Sequence, residues 1–268
     1  MEDLPRKLAA SKAGNIAKRL GLVSGGKVLD VATAAGGFID TLMNTLKTYD
    51  SFVGIDYCAS DESRKNMESA RKKFEGKPIQ FLQMNAENLQ FEDGSFDTVC
   101  MSHSLHHLAN IDKVLTEMKR VLKSGGNFIL QECYCDGEQN EAQKNDEREH
   151  EWEAQIDSLL GITHNKTLTR QKIMDIVDSL KLKEKEILNS THSIDCLFCN
   201  SKYECEDPKN QTSLQKSIKD IDNAIKRIEN YPDLRTRKHL MEEGEKIKKE
   251  IAKYGSSSAS YLFVIGIT

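Results

Sequence analysis

No apolar run in this chain of 268 residues approaches the roughly 20 residues that span a bilayer. The opening stretch, Met1-Glu2-Asp3-Leu4-Pro5-Arg6-Lys7, is too polar for a secretory signal core. The chain therefore reads as a cytoplasmic protein with no membrane association. A basic excess is missing too. The 38 Lys and Arg stand against 42 Asp and Glu, a formal net charge of -4, and no clustered basic stripe marks a nucleic-acid binder. Seven cysteines, an odd number scattered through apparent core strands and one late loop, do not make a disulfide framework and suit a reducing compartment.

Against these absences stands one stretch, Val28-Leu29-Asp30-Val31-Ala32-Thr33-Ala34-Ala35-Gly36-Gly37-Phe38. A short apolar run ends in a carboxylate and passes through small residues. It then opens onto Ile39, Leu42, Met43 and Leu46 at helical spacing, which predicts strand, tight loop and helix. Side chains this small let backbone N–H groups approach a ligand, and the helix adds the positive end of its dipole. No Lys-Ser/Thr follows the glycines, so the loop is not a P-loop, and the three-glycine dinucleotide spacing is not met. Asp56, closing the next apolar run Phe52-Val53-Gly54-Ile55, falls 20 residues beyond Gly36, where a doubly wound fold places the acid that binds a ribose diol. A nucleoside without phosphates fits this pattern; the plain alternative for Asp56 is a turn residue capping the next helix.

Along the chain, residues 4–20 predict an N-terminal cap helix ended by Gly21. Strands are expected at 51–56, 79–83, 96–101 and 127–132, with helices at about 61–74 and 111–122 between them. Regular alternation predicts a parallel sheet with helices on both faces. After Tyr134 the pattern changes to a helical cap segment, about 138–180, that carries Trp152 and, in an irregular link, His164. Strands follow at about 185–195 and 259–267. Between them, at about 207–255, Leu214, Ile218, Ile221, Ile225 and Ile228, then Leu240, Gly244, Ile247, Ile251 and Tyr254, recur at spacings of three and four around Tyr231-Pro232-Asp233. This predicts an antiparallel helical hairpin. It reads as an insertion packing on itself, with a lid over substrate or a homodimer contact as the other roles open to it.

Taken together, the motifs resemble the class I S-adenosylmethionine-dependent methyltransferases, the type 11 methyltransferase domain, and within them the ubiquinone/menaquinone C-methyltransferase-like branch. The resemblance rests on the Asp30–Gly37 stretch, Gly54-Ile55-Asp56, Asn85-Ala86-Glu87, the approach Phe91 to Asp97, Leu105-His106-His107-Leu108, and Arg120 to Gly126. It covers about residues 25–132. It implies a Rossmann-like three-layer α/β sandwich whose seven-stranded, mostly parallel sheet ends in an antiparallel strand. It also implies a single methyltransferase domain over 1–268 and S-adenosyl-L-methionine as cofactor. The cofactor residues it implies are Asp30, Ala32, Ala34, Gly36, Asp56, Tyr57, Asn85, Ala86, Glu87, Ser102 and His103. Asn85 would accept from the exocyclic amine of adenine and Ala86 would offer a backbone N–H. The family usually has glycine in place of Ala34 and often in place of Ala32, and a methyl group is tolerated there only where φ stays negative.

His103, at the end of the fourth strand, is the candidate proton acceptor, while His106 and His107 read as residues that hold the following turn. Many methyl transfers need no base, because the sulfonium is already activated. Cys133-x-Cys135 and Cys196-x-x-Cys199, with Cys205, have spacing too weak to assign a metal, and none is expected. After the fourth strand, Ser102-His103-Ser104-Leu105 lacks the Asn/Asp-Pro-Pro-aromatic signature of base-flipping nucleic-acid methyltransferases. The acceptor is therefore expected to be a small molecule. The competing reading is a non-catalytic cofactor- or partner-binding module working through the hairpin.

Overall fold

The computed structural model describes residues 15–190 and 207–268. Within these, the order is α1 (Asn15–Leu20), β1 (Lys27–Val31), α2 (Gly37–Thr45), β2 (Ser51–Asp56), α3 (Asp61–Lys73), β3 (Ile79–Gln83) and β4 (Phe96–Ser102). There follow α4 (Ile111–Val121), β5 (Leu122–Cys133), α5 (Glu141–Leu159), α6 (Arg170–Ser179), β6 (Lys183–Ser190), α7 (Gln211–Ile228), α8 (Leu234–Tyr254) and β7 (Tyr261–Ile267). The first part of the expected N-terminal helix, with Leu4 and Leu8, lies outside the described residues, as do Cys196, Cys199, Cys205 and the end of the expected sixth strand.

Contacts group the described residues into two units, one of 15–132, 171–189 and 262–268, the other of 133–170, 190 and 207–261. The sheet dominates the first. Its seven strands run in the order β3-β2-β1-β4-β5-β7-β6. β3, β2, β1, β4 and β5 are parallel neighbours, with Asp30 beside Gly54 on one side and Cys100 on the other. At the far side the direction reverses. The Gly125 N–H donates to the Thr268 carbonyl and the Thr268 N–H to the Gly126 carbonyl, so the start of β5 meets the end of β7. The expected α/β sheet with an antiparallel last strand is the sheet observed.

β1 is buried along Val28–Val31 because helices cover both faces of a central parallel strand, which is why it reads as an unbroken apolar run. Its order reverses between β1 and β4, so the crevice outside the carboxyl ends of these two strands is the natural ligand site of such a sheet. Helix boundaries follow from caps: Ser60 and Ser63 form a reciprocal capping box at α3, and the Asn110 side chain accepts the Lys113 N–H at 3.0 Å at α4.

In the second unit, α5, α7 and α8 share one apolar core of Trp152, Ile156, Ile221, Ala224, Ile228, Leu240, Ile247 and Ile251. The hairpin is therefore built as expected, but it does not pack on itself alone: α5 supplies its third wall. Trp152 donates its indole N–H to the Leu240 carbonyl at 2.9 Å. Its ring lies so close to α8 that a Cβ on Gly244 would stand 2.7 Å from it. This glycine, one of the positions in the periodic apolar stripe, is what lets a full-sized indole fill the seam. Among the described residues no helix is long and apolar enough to cross a membrane.

Candidate active site

Four loops at the carboxyl ends of β1 to β4 carry the site. The β1 loop is folded around Asp30, which is 1% exposed and accepts the Thr33 hydroxyl at 2.7 Å and the Cys100 thiol at 3.5 Å. Burial pushes the Asp30 carboxyl up to about 7, against the two hydrogen bonds. Thr33 then donates its N–H to Ile55 at 2.9 Å, and the Gly36 N–H closes a turn onto the Thr33 carbonyl at 2.8 Å. The backbone needed for this path is left-handed three times, at Ala32 (φ 58), Ala34 (φ 46) and Gly36 (φ 75). The expectation that the two alanines fit only at negative φ is thus not met. Each stays in a conformation that costs an L-residue roughly 1–2 kcal/mol, because the hydrogen bonds around Thr33 and Asp56 hold the loop.

Gly36 has no such choice: a Cβ there would lie 2.7 Å from the Phe74 ring. Gly37 is the opposite case, with nothing within 4 Å of the same position, so the start of α2 opens onto free space. Gly36, at the N-cap of α2, offers no side-chain cap, which leaves the helix dipole facing that space.

Asp56, half-buried at the end of β2, accepts the Ala34 N–H at 2.9 Å on one oxygen and the Cys58 N–H at 3.2 Å on the other. One carboxylate thereby ties the β1 and β2 loops together. Tyr57 beside it is 62% exposed, a flat ring at the crevice edge. The β3 loop is fixed to the same residue, since the Met84 N–H donates to the Asp56 carbonyl at 2.9 Å. The Asn85 amide oxygen accepts the Glu87 N–H at 2.9 Å, closing a small turn. Its first task is thus to shape Asn85-Ala86-Glu87, and it keeps one lone pair for a further donor. Arg120 holds the rest of this loop by binding the carbonyls of Leu89 and Phe91, both at 2.9 Å, while pairing with Glu117.

After β4, His103 takes a left-handed turn (φ 47), its N–H bonded to the Gln131 carbonyl at 2.8 Å. Its Nε2 lies 2.9 Å from the Gln131 amide nitrogen. With that nitrogen as donor the imidazole is neutral, the state that burial also favours by lowering its pKa. Next in the chain, His106 Nδ1 meets Glu132 at 2.8 Å, both side chains buried. The other Glu132 oxygen accepts the Ser104 and Leu105 N–H groups at 3.0 and 2.7 Å. Burial, the largest influence, raises a carboxyl, but here the His106 imidazole, the nearby His103 and the Leu105 N–H together outweigh it and hold Glu132 below its ordinary value. Of the two histidines read as holding this turn, His106, the first, is the one bound to Glu132. Gln131 and Glu132, which place the whole turn, were missed; the visible signal was a polar pair ending the otherwise apolar strand Phe128-Ile129-Leu130. Cys133 and Cys135 are half-buried thiols at the end of the same strand.

The strand ends therefore bring Asp30, Ala32, Ala34, Gly36, Asp56 and Tyr57 to one part of the crevice, with Asn85, Ala86 and Glu87 on the β3 loop and Ser102 and His103 at β4.

Residues 29–130 match the family described as methyltransferase domain. The chain is 33% identical to a ubiquinone/menaquinone biosynthesis C-methyltransferase of Geobacter sp. strain M21 over 115 residues, 43% of this chain and 48% of that protein. It is 34% identical to a demethylmenaquinone methyltransferase of Lactococcus lactis over 113 residues, 42% and 44% of the two. The aligned part thus spans about half the length of the curated relatives it matches. The fold is also that of a solved putative methyltransferase from an antibiotic biosynthesis pathway of Anabaena variabilis, with a TM-score of 0.58 and 16% identity over 98% of this chain and 97% of that one. Over residues 29–130 the chain is thus similar to the methyltransferase domain family.

Proposed function

We propose that the protein transfers a methyl group from S-adenosyl-L-methionine to a small-molecule acceptor. The observation that carries this reading is the convergence of the β1, β2 and β3 loops on Asp56 at the point where the strand order reverses. The residues present fit the cofactor. Space opens at Gly37, the uncapped start of α2 faces it, and each Asp56 oxygen that takes one backbone N–H retains a lone pair for a ribose hydroxyl.

Bound there, S-adenosyl-L-methionine supplies a methyl group already activated by its sulfonium. The chain's own part is placement. Asp56 holds the diol, Tyr57 offers its ring beside the adenosine, and the Asn85–Glu87 turn presents the Ala86 N–H and the second Asn85 lone pair to the base. Asp30, through Thr33, keeps the β1 loop in its left-handed path. His103 faces the acceptor side. Turning the Gln131 amide over would give its Oε1, a buried atom with no other partner among the described residues, the His103 Nε2–H, making Nδ1 the basic nitrogen. In that form His103 accepts a proton from an acceptor that must lose one. The quinone-pathway relatives support a small-molecule acceptor.

The test is incubation of purified protein with methyl-labelled cofactor and a small-molecule cell extract. Label in an extractable small molecule is the expected result. Cofactor binding with no transfer to any fraction would instead favour the non-catalytic module, and label in DNA or RNA alone would overturn the acceptor class.

A further inference from the structure

In the helical unit, His150 on α5 and His164 in the link after it point their Nε2 atoms at each other, 3.2 Å apart, with ring planes crossed at 75°. Each ring is held from behind by an oxygen on its other nitrogen. His164 Nδ1 meets Asp157 at 2.7 Å, and His150 Nδ1 meets the Thr167 hydroxyl at 3.3 Å. Asp157 is in turn clamped by Arg227 of α7, which also reaches Glu153.

Oxygen partners on the far nitrogens fix both tautomer and tilt, as they do for metal-bound imidazoles, where a carboxylate behind the ring also raises its basicity. Two nitrogens bound to zinc at about 2.0–2.1 Å and a tetrahedral angle lie about 3.3 Å apart, close to the spacing here. We infer that His150 and His164 are paired ligands of a divalent transition metal of the imidazole-binding class, zinc, nickel or cobalt.

Asp157 suits its part: one of its oxygens meets His164 Nδ1 and the other accepts from the Arg227 guanidinium, so the group behind the ring is itself held in place. His164 also borders a cavity of about 860 Å³ in this unit, lined by Glu151, Ser158, Lys166, Arg235 and His239 among others. That cavity gives an ion a way in. The alternative arrangement is a plain hydrogen bond, with one proton shared between the two Nε2 atoms and no affinity for metal.

The experiment is titration of chelator-treated full-length protein with Ni²⁺, which imidazole favours, followed by calorimetry and equilibrium dialysis. One Ni²⁺ per chain is expected. His150→Gln and His164→Gln should each weaken it at least tenfold, and Asp157→Asn about 10- to 100-fold, the usual cost of losing the group behind a metal-bound imidazole. His150 is only half-buried, so His150→Gln decides the matter if the variants at buried His164 or Asp157 unfold by circular dichroism. No saturable uptake by the wild-type chain, or wild-type affinity in His150→Gln, would overturn the assignment in favour of the hydrogen bond.

Discussion

The Asp56 carboxylate accepts the Ala34 N–H at 2.9 Å, so the residue expected to grip a ribose also holds the loop expected to surround the methionine end of the ligand. Affinity and loop shape are therefore coupled in one side chain. The loop it holds is strained, with both Ala32 and Ala34 left-handed.

Replacing Ala34 by glycine should relieve that strain. Roughly 1–2 kcal/mol of left-handed cost is removed, and about 0.4–1 kcal/mol is returned as extra freedom of the unfolded chain. Ala34→Gly is expected to be more stable than wild type by about 0.5–1 kcal/mol in chemical denaturation, while Ala224→Gly, in a buried helix position, is destabilised. A loss of stability in Ala34→Gly would mean that the loop does not hold this conformation in solution.

Asp30 makes stability depend on pH. Burial, the main cause, puts its folded pKa at about 7 against an ordinary 3.8. Between those values the folded state binds a proton that the unfolded state has lost, so this group's contribution falls as pH rises from about 4 to 7 and is level above. Asp30→Asn, which keeps an acceptor for the Thr33 hydroxyl, should remove that falling limb. At pH 8 it should gain on wild type by an amount on the order of a few kcal/mol. Unfolding free energies measured from pH 5 to 8 check this, and parallel curves for the two proteins would refute it.

Glu132 serves three donors at once. Glu132→Ala should cost about 3–5 kcal/mol, the usual penalty for breaking a buried charged network, because His106 and the N–H groups of Ser104 and Leu105 all lose their acceptor. Urea denaturation measures it; a cost below 1 kcal/mol would show that the turn after β4 is held by other means.

Gly244→Ala tests the helical unit. The added methyl meets the Trp152 ring, and overpacking of this kind costs about 1–3 kcal/mol. Trp152 is the chain's one tryptophan, so its fluorescence should change in the same variant; an unaltered spectrum and unaltered stability would argue against the observed packing of α5 on α8.

Much of the sheet unit was legible because its signals are local. Asp30 and Asp56 each close an apolar run and Gly36 precedes a helix at apolar helical spacing, and strand ends are where a parallel sheet gathers ligand groups. The hairpin was legible from the spacing of Ile221, Ile228, Leu240 and Ile247. What escaped depends on distant partners. Nothing next to Glu132 in sequence reveals that it caps a turn nearly 30 positions earlier, and Trp152 gives no sign that Gly244 makes room for it. Left-handed φ at Ala32 and Ala34 was hidden because the residues themselves disfavour it; the constraint comes from Asp56 and Ile55 across the loop. His150 and His164 went unpaired because residues 160–169 carry no periodicity from which a fold-back could be read.

Calorimetric titration of the wild-type protein and of Asp56→Ala with S-adenosyl-L-methionine tests the central claim most directly. The account predicts one saturable site in the wild type and binding weaker by an order of magnitude or more in the variant, since a hydrogen bond to a charged acceptor contributes about 1.5–3 kcal/mol. Absence of binding in the wild type, or unchanged affinity in Asp56→Ala, would contradict it.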